Sequence, residues 1–171
     1  MRHLQLAELP KLLTLGNPIL REVSSPVSDF TGRPFAKEAE SLHNVLLRFR
    51  EDYGFGRGIA APQLGVLKRI LAINLNGQQT TMMNPQVIWT SPEEFSLWDD
   101  CMCFPDILVR VRRKSSITVE FQDENGKTCC WEKLDPATSE LLQHEIDHLN
   151  GILAIDRAID KESISYRTNI V

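Results

Sequence analysis

The run Gln143-His144-Glu145-Ile146-Asp147-His148 places two histidines four residues apart, with a glutamate beside the first. On a helix, positions i and i+4 share a face. Both imidazoles can then hold one metal ion while Glu145 carries a proton next to it. The motif leaves the third ligand open. The class that extends it to HExxHxxGxxH has a third histidine; here Gly151 is in place, but Ala154 stands where that histidine would be. A class that draws a glutamate from a later helix would need Glu162, after which little chain remains to pack such a helix. A ligand from upstream is more economical, with Cys101 and Cys103 as the candidates. Three protein ligands leave a fourth position for water, the mark of a catalytic site, and the metal lowers the pKa of that water. These ligands alone point to zinc.

A second polar group stands upstream. Gln63 follows a rigid Ala60-Ala61-Pro62 turn, and its amide could donate to a developing oxyanion. Gly56 and Gly58 would let a substrate approach the backbone closely.

The elements that must position these groups are legible from periodicity. Leu42, Val45, Leu46 and Phe49 predict an amphipathic helix over residues 35–52, with Gly54 as its C-terminal cap. Residues 22–34 and 55–65 read as loop and irregular backbone. Strands are expected over 69–75, 81–90, 95–102 and 116–122, the last turning through Asp123-Glu124-Asn125-Gly126 to pair with 127–133. Asp135-Pro136 starts a helix that runs to about Asn150, where Gly151 ends it. Leu142, Ile146 and Leu149 form one stripe of it, and Leu141, His144, Glu145 and His148 a neighbouring one. The expected fold is α+β, with antiparallel or mixed β-sheets packed around a central metal-binding helix.

The length suggests one domain spanning 1–171. A net charge of −4 gives no ground for a nucleic-acid partner. The run Arg110-Val111-Arg112-Arg113-Lys114 reads mostly as a solvated strand end. No apolar stretch reaches membrane-span length, and the N-terminus has neither a signal-peptide core nor a transit-peptide composition. Four cysteines suit a reducing cytoplasm, although import into an organelle after loss of a transit peptide stays open. Cys129 and Cys130 should point to opposite sides of a strand.

Three stretches in order, Gly56-Arg57-Gly58-Ile59-Ala60-Ala61-Pro62-Gln63, Asp99-Asp100-Cys101-Met102-Cys103 and His144-Glu145-Ile146-Asp147-His148, resemble the motifs of the peptide deformylase family. The opening Leu15-Gly16-Asn17-Pro18-Ile19-Leu20-Arg21 is similar to the family's N-terminal segment, so the likeness spans about residues 11–157. It implies hydrolysis of the N-formyl group of formylmethionyl peptides, releasing formate. It implies Cys101, His144 and His148 as ligands of one divalent ion, Fe²⁺ first, with Zn²⁺, Ni²⁺ or Co²⁺ as other occupants. Glu145 would move the proton. Gln63 and the Met102 N–H would hold the formyl oxygen. The peptide would lie as an added strand along Gly56, Arg57, Gly58 and Ile59, with Asp100 and Leu141 also beside it. Formylated nascent N-termini are the implied partners, with transient proximity to the ribosome as their setting.

The pattern also departs from the family. Asp99 is shorter than the usual glutamate, leaving open its contact with Arg113. Asp100 replaces glycine, Cys103 replaces serine and Arg57 replaces an aliphatic residue. Arg57 and Asp100, of opposite charge, are expected to pair across the cleft. These changes keep two rivals alive: an amidohydrolase for another formylated or N-acylated small substrate, and a non-catalytic metal-binding homologue that binds N-termini.

Overall fold

The computed structural model describes residues 9–170. The reading of the extreme N-terminus therefore lies, for residues 1–8, outside the described residues. Helix α1 spans Ala36–Tyr53 and ends at Gly54, whose φ of 78° and N–H bond to the Arg50 carbonyl complete a left-handed cap. Strands β1 (Gly58–Ala60), β2 (Ile70–Leu75), β3 (Gln78–Thr90), β6 (Ile117–Gln122) and β7 (Thr128–Trp131) form one antiparallel sheet in the order β1-β2-β3-β6-β7. A second antiparallel sheet has the order β4-β5-β8, from Glu94–Asp100, Ile107–Lys114 and Ile164–Tyr166. Helix α2 (Pro136–Leu149) is capped by the Asp135 carboxylate, which accepts from the Ala137 and Thr138 N–H groups. The fold is α+β, as expected.

Helix α2 is buried along almost its whole length. Leu142 and Leu149 pack on Leu71, Ile73, Met82, Ile117 and Val119 of the larger sheet. Helix α1 covers a separate core, where Leu42, Leu46 and Phe49 meet Ile59, Ile70 and Met102. A third core gathers Cys101, Cys103, Phe104, Val109, Val111 and Leu153 around Leu20. Polar side chains of α2 pair with backbone groups beside the strands. Gln143 donates to the Lys114 carbonyl at 2.9 Å and accepts from the Lys114 N–H at 3.0 Å, and Ser139 Oγ accepts from the Ile117 N–H at 3.2 Å. Orphaned backbone groups are thereby satisfied and the helix is locked in register with both sheets.

Several boundaries differ from the sequence reading, among them β1, which lies within the 55–65 stretch read as irregular backbone, and β3, which starts at Gln78. The strand expected over 95–102 stops at Asp100, because Cys101 and Cys103 turn into the third core while Met102 turns into the α1 core. The basic run is an alternating strand: Arg110 and Arg112 face water, whereas Val111 and Arg113 are buried. The tail after Asp160 holds no α-helix among the described residues and supplies β8, which pairs with β5 through Ile107↔Tyr166, Leu108↔Ser165 and Val109↔Ile164. Cys130 is exposed and Cys129 half-buried, the expected alternation. Among the described residues no helix is long and apolar enough to cross a membrane.

Candidate active site

The α2 spacing stacks His144 and His148 one turn apart, with ring centroids separated by 5.0 Å. Cys101 enters from the turn after β4, placing Sγ 3.4 Å from His148 Nε2. His144 Nδ1 lies 2.9 Å from Asp99 Oδ2, which leaves Nε2 as the nitrogen available to an ion. A carboxylate behind a ligating histidine fixes its tautomer and ring orientation. Cys103 crowds the same place: the ligand atoms of Cys101, Cys103 and His148 all lie within 4.8 Å of one another. Among the described residues the donors that converge are thus Cys101, Cys103 and His148, with His144 one helical turn from His148 and anchored by Asp99.

A buried charge network stands behind these ligands. Arg113 donates to Asp99 at 3.0 Å and to Asp147 at 2.6 Å, and Arg157 grips Asp147 through both Nε and Nη2. The contact left open by the short Asp99 is therefore made. Burial opposes the charge on Asp99, but His144 and Arg113 outweigh it and hold its pKa below the usual value. Burial likewise opposes a proton on His144, yet the Asp99 carboxylate prevails and raises its pKa to about 9. Burial, with His144 beside it, drives His148 well down, and burial pushes the Cys101 thiol well up. Glu145, buried with Oε2 lacking any partner among the described residues, is raised by desolvation to about 7.

His144 and Glu145 border a small cavity together with Gln63, Met102, Leu141 and Gly58, while Cys101, Cys103 and His148 lie outside its lining. It adjoins a wider cavity of about 310 Å³ bordered by Phe55, Gly56, Arg57, Trp98, Asp100 and Glu140. Gln63 accepts from the Ala60 N–H through Oε1 at 2.7 Å, which aims Nε2 away; Nε2 in turn donates to Cys103 Sγ at 3.3 Å. Gly58 has to be glycine, since a Cβ there would sit 2.7 Å from Glu145 Oε1. Strand β1 is an edge strand of its sheet, so its outer side can accept another strand.

One expectation fails on geometry. Arg57 does not pair with Asp100. It forms an ion pair with Glu140 and donates to the Ala137 carbonyl at 3.0 Å, because β1 runs beside the first turns of α2. Asp100 pairs instead with Arg167, at 3.3 Å. Ile59 turns its side chain into the α1 core and keeps its backbone at the sheet edge, where an added strand would pair. Sequence reasoning missed four residues of this region. Glu140 lies four positions before His144, on the same face of α2, and that spacing could have found it. Asp147 sits inside the motif itself. Arg157 and Arg167 carry no local signal, since only the tertiary fold brings them back.

Comparison with known proteins agrees with this geometry. The family model described as polypeptide deformylase matches residues 9–163. This chain belongs to the polypeptide deformylase family. A peptide deformylase of Treponema pallidum is 34% identical over 151 residues, covering 88% of this chain and 89% of that protein. One from Rhizobium meliloti is 36% identical over 150 residues, covering 85% and 82% respectively. The crystal structure of the Thermotoga maritima peptide deformylase superposes with a TM-score of 0.81 at 29% identity, covering 90% of this chain and 99% of that one. Peptide deformylases are metallohydrolases that use a single metal ion.

Proposed function

We propose that this chain is a metal-dependent peptide deformylase that hydrolyses the N-formyl group of formylmethionyl N-termini on newly made proteins, releasing formate. One observation carries the reading: a buried glutamate with an unpartnered oxygen shares a cavity with His144, Gln63 and Met102. Cys101, His144 and His148 would hold the ion, Fe²⁺ in this reading, with Zn²⁺, Ni²⁺ or Co²⁺ able to take its place. A divalent ion there supplies an activated water near neutral pH and positive charge beside the reacting carbonyl.

The protein's own groups do the rest. Gln63 Nε2 and the Met102 N–H donate to the formyl oxygen as negative charge develops on it; one such donor is typically worth ~10²–10³ in rate. Glu145, with a pKa of about 7, can accept a proton and pass it to the departing amine. Asp99 keeps His144 oriented throughout. The peptide lies along the free edge of β1, with Gly56 and Gly58 allowing close approach and Arg57, Asp100 and Leu141 beside it. We assign the whole of residues 1–171 to one catalytic domain, working in the cytoplasm on nascent chains as they leave the ribosome. A purely binding homologue would have no use for Glu145.

The test is product analysis. Protein loaded anaerobically with Fe²⁺, or with Ni²⁺, is given formyl-Met-Ala-Ser or acetyl-Met-Ala-Ser. The reading predicts formate from the first and almost no acetate from the second. Metal-loaded protein that releases no formate would overturn it.

A further inference from the structure

The C-terminal tail reaches back to the cavity. Pairing of β8 with β5 delivers Arg167 to the turn that carries Cys101. Four contacts then fix it. Its N–H donates to the Asp106 carbonyl at 2.7 Å, and Nε donates to the Pro105 carbonyl at 3.1 Å. Nη2 donates to Asp100 Oδ2 at 3.3 Å, and the guanidinium carbon sits 4.1 Å from the centroid of the Phe55 ring. Phe55 immediately precedes Gly56, so one side chain touches both walls of the cleft.

Asp100 makes this arrangement consequential. Asp100 borders the same cavity as His144, Glu145 and Met102, and it directly precedes Cys101. Arg167 is its only ion-pair partner among the described residues. Carboxylates are good ligands for divalent cations. An unrestrained one beside a bound ion would compete for the open position, and its charge would oppose negative charge developing on a substrate oxygen.

We propose that Arg167 is a positioning residue that holds the Asp100 carboxylate out of the metal's open coordination position, making the C-terminal tail part of the cleft. This rests on the deformylase reading for its importance to turnover, but the geometry of the restraint can be tested without turnover. Cation–π stacking on Phe55 and the Nε bond to the Pro105 carbonyl keep the guanidinium in place, while the backbone bond to Asp106 fixes the chain that carries it, so that Asp100 has a fixed partner to bond.

The experiment uses full-length protein substituted with Co²⁺ and titrated with azide, followed by visible absorption. Arg167→Met should weaken azide binding by on the order of tenfold, the usual scale for freeing a charge-assisted partner. Arg167→Met combined with Asp100→Asn should recover most of that loss, because the competing carboxylate is gone. Arg167→Lys should fall between wild type and Arg167→Met. In formate release, Arg167→Met should lower kcat more than it raises KM. Two results would overturn the proposal: azide binding unchanged in Arg167→Met, or a double variant as weak as the single one, which would leave Arg167 merely structural. Wild-type protein that binds azide yet releases no formate would instead sink the deformylase reading and leave the Arg167 restraint standing.

Discussion

Gly58→Ala tests how closely the general base is held. The backbone at Gly58 is ordinary strand, so alanine adds no torsional strain. What it adds is a methyl group 2.7 Å from Glu145 Oε1 and 2.9 Å from its Cγ, where ordinary contact begins at 3.4 Å. Because Cγ is also too close, rotation of the carboxylate alone does not relieve the clash. Glu145 is a buried residue of α2, so its side chain must shift by about 0.7 Å, the difference between the contact limit and the Oε1 distance. A misplacement of ~1 Å can cost 10²-fold in rate, so a kcat lower by about tenfold or more is expected. Overpacking should cost about 1 kcal/mol of stability. The assay is steady-state formate release from formyl-Met-Ala-Ser, with metal content and thermal unfolding measured on the same sample. A kcat within about twofold of wild type, in folded and fully loaded protein, would refute the claim that Glu145 is held against Gly58 for catalysis.

Other outcomes follow from the same geometry. Gly151, at φ 71°, packs against the Arg21 carbonyl, which as backbone cannot yield cheaply. Gly151→Ala should therefore cost about 2–4 kcal/mol in denaturant unfolding, and a loss under about 0.5 kcal/mol would contradict this packing. Cys103→Ser should still bind one ion per chain with affinity changed by less than about threefold, whereas His144→Ala should lose tenfold or more by metal titration; the reverse order would make Cys103 the third ligand. The Asp99–His144 pair predicts a pH dependence for metal-free Cys103→Ser protein. His144, raised from 6.5 to about 9, holds in the folded state a proton that the unfolded chain releases. That stabilisation is complete below pH 6.5 and is lost as pH rises through about 9. Glu145, raised from 4.5 to about 7, contributes in the same direction at the lower end of this window. The melting temperature should fall across that range, and should fall less once a metal replaces the proton on His144; a flat metal-free profile would remove the pair from the account.

Helix α2 was legible because its signals are local: an Asp-Pro start, apolar spacing of three and four, and two histidines on one face. The β6–β7 hairpin was legible for the same reason, through its Asp-Glu-Asn-Gly turn. Cys101 needed three ordered motifs, since a lone buried thiol looks like packing. Of the charge network, only the Asp99–Arg113 contact was suggested by the resemblance; the Asp147 and Arg157 contacts could not be read. Arg113 resembles any strand-end arginine until strand alternation buries it between Asp99 and Asp147. The Arg57–Asp100 expectation failed because sequence gives charge and proximity to a cleft but not which of several nearby partners is closer. Arg167 acts about sixty residues downstream of the turn it holds, a distance that only sheet pairing closes.

The most direct test of the central claim is formate release by metal-loaded Glu145→Gln protein. The substitution keeps size and hydrogen-bonding capacity while removing the base. The account predicts one bound ion per chain, a peptide affinity close to wild type, and a turnover reduced by at least about 10²-fold. Loaded Glu145→Gln protein that releases formate at the wild-type rate would contradict the role given to the buried carboxylate, and with it the proposed chemistry of the site.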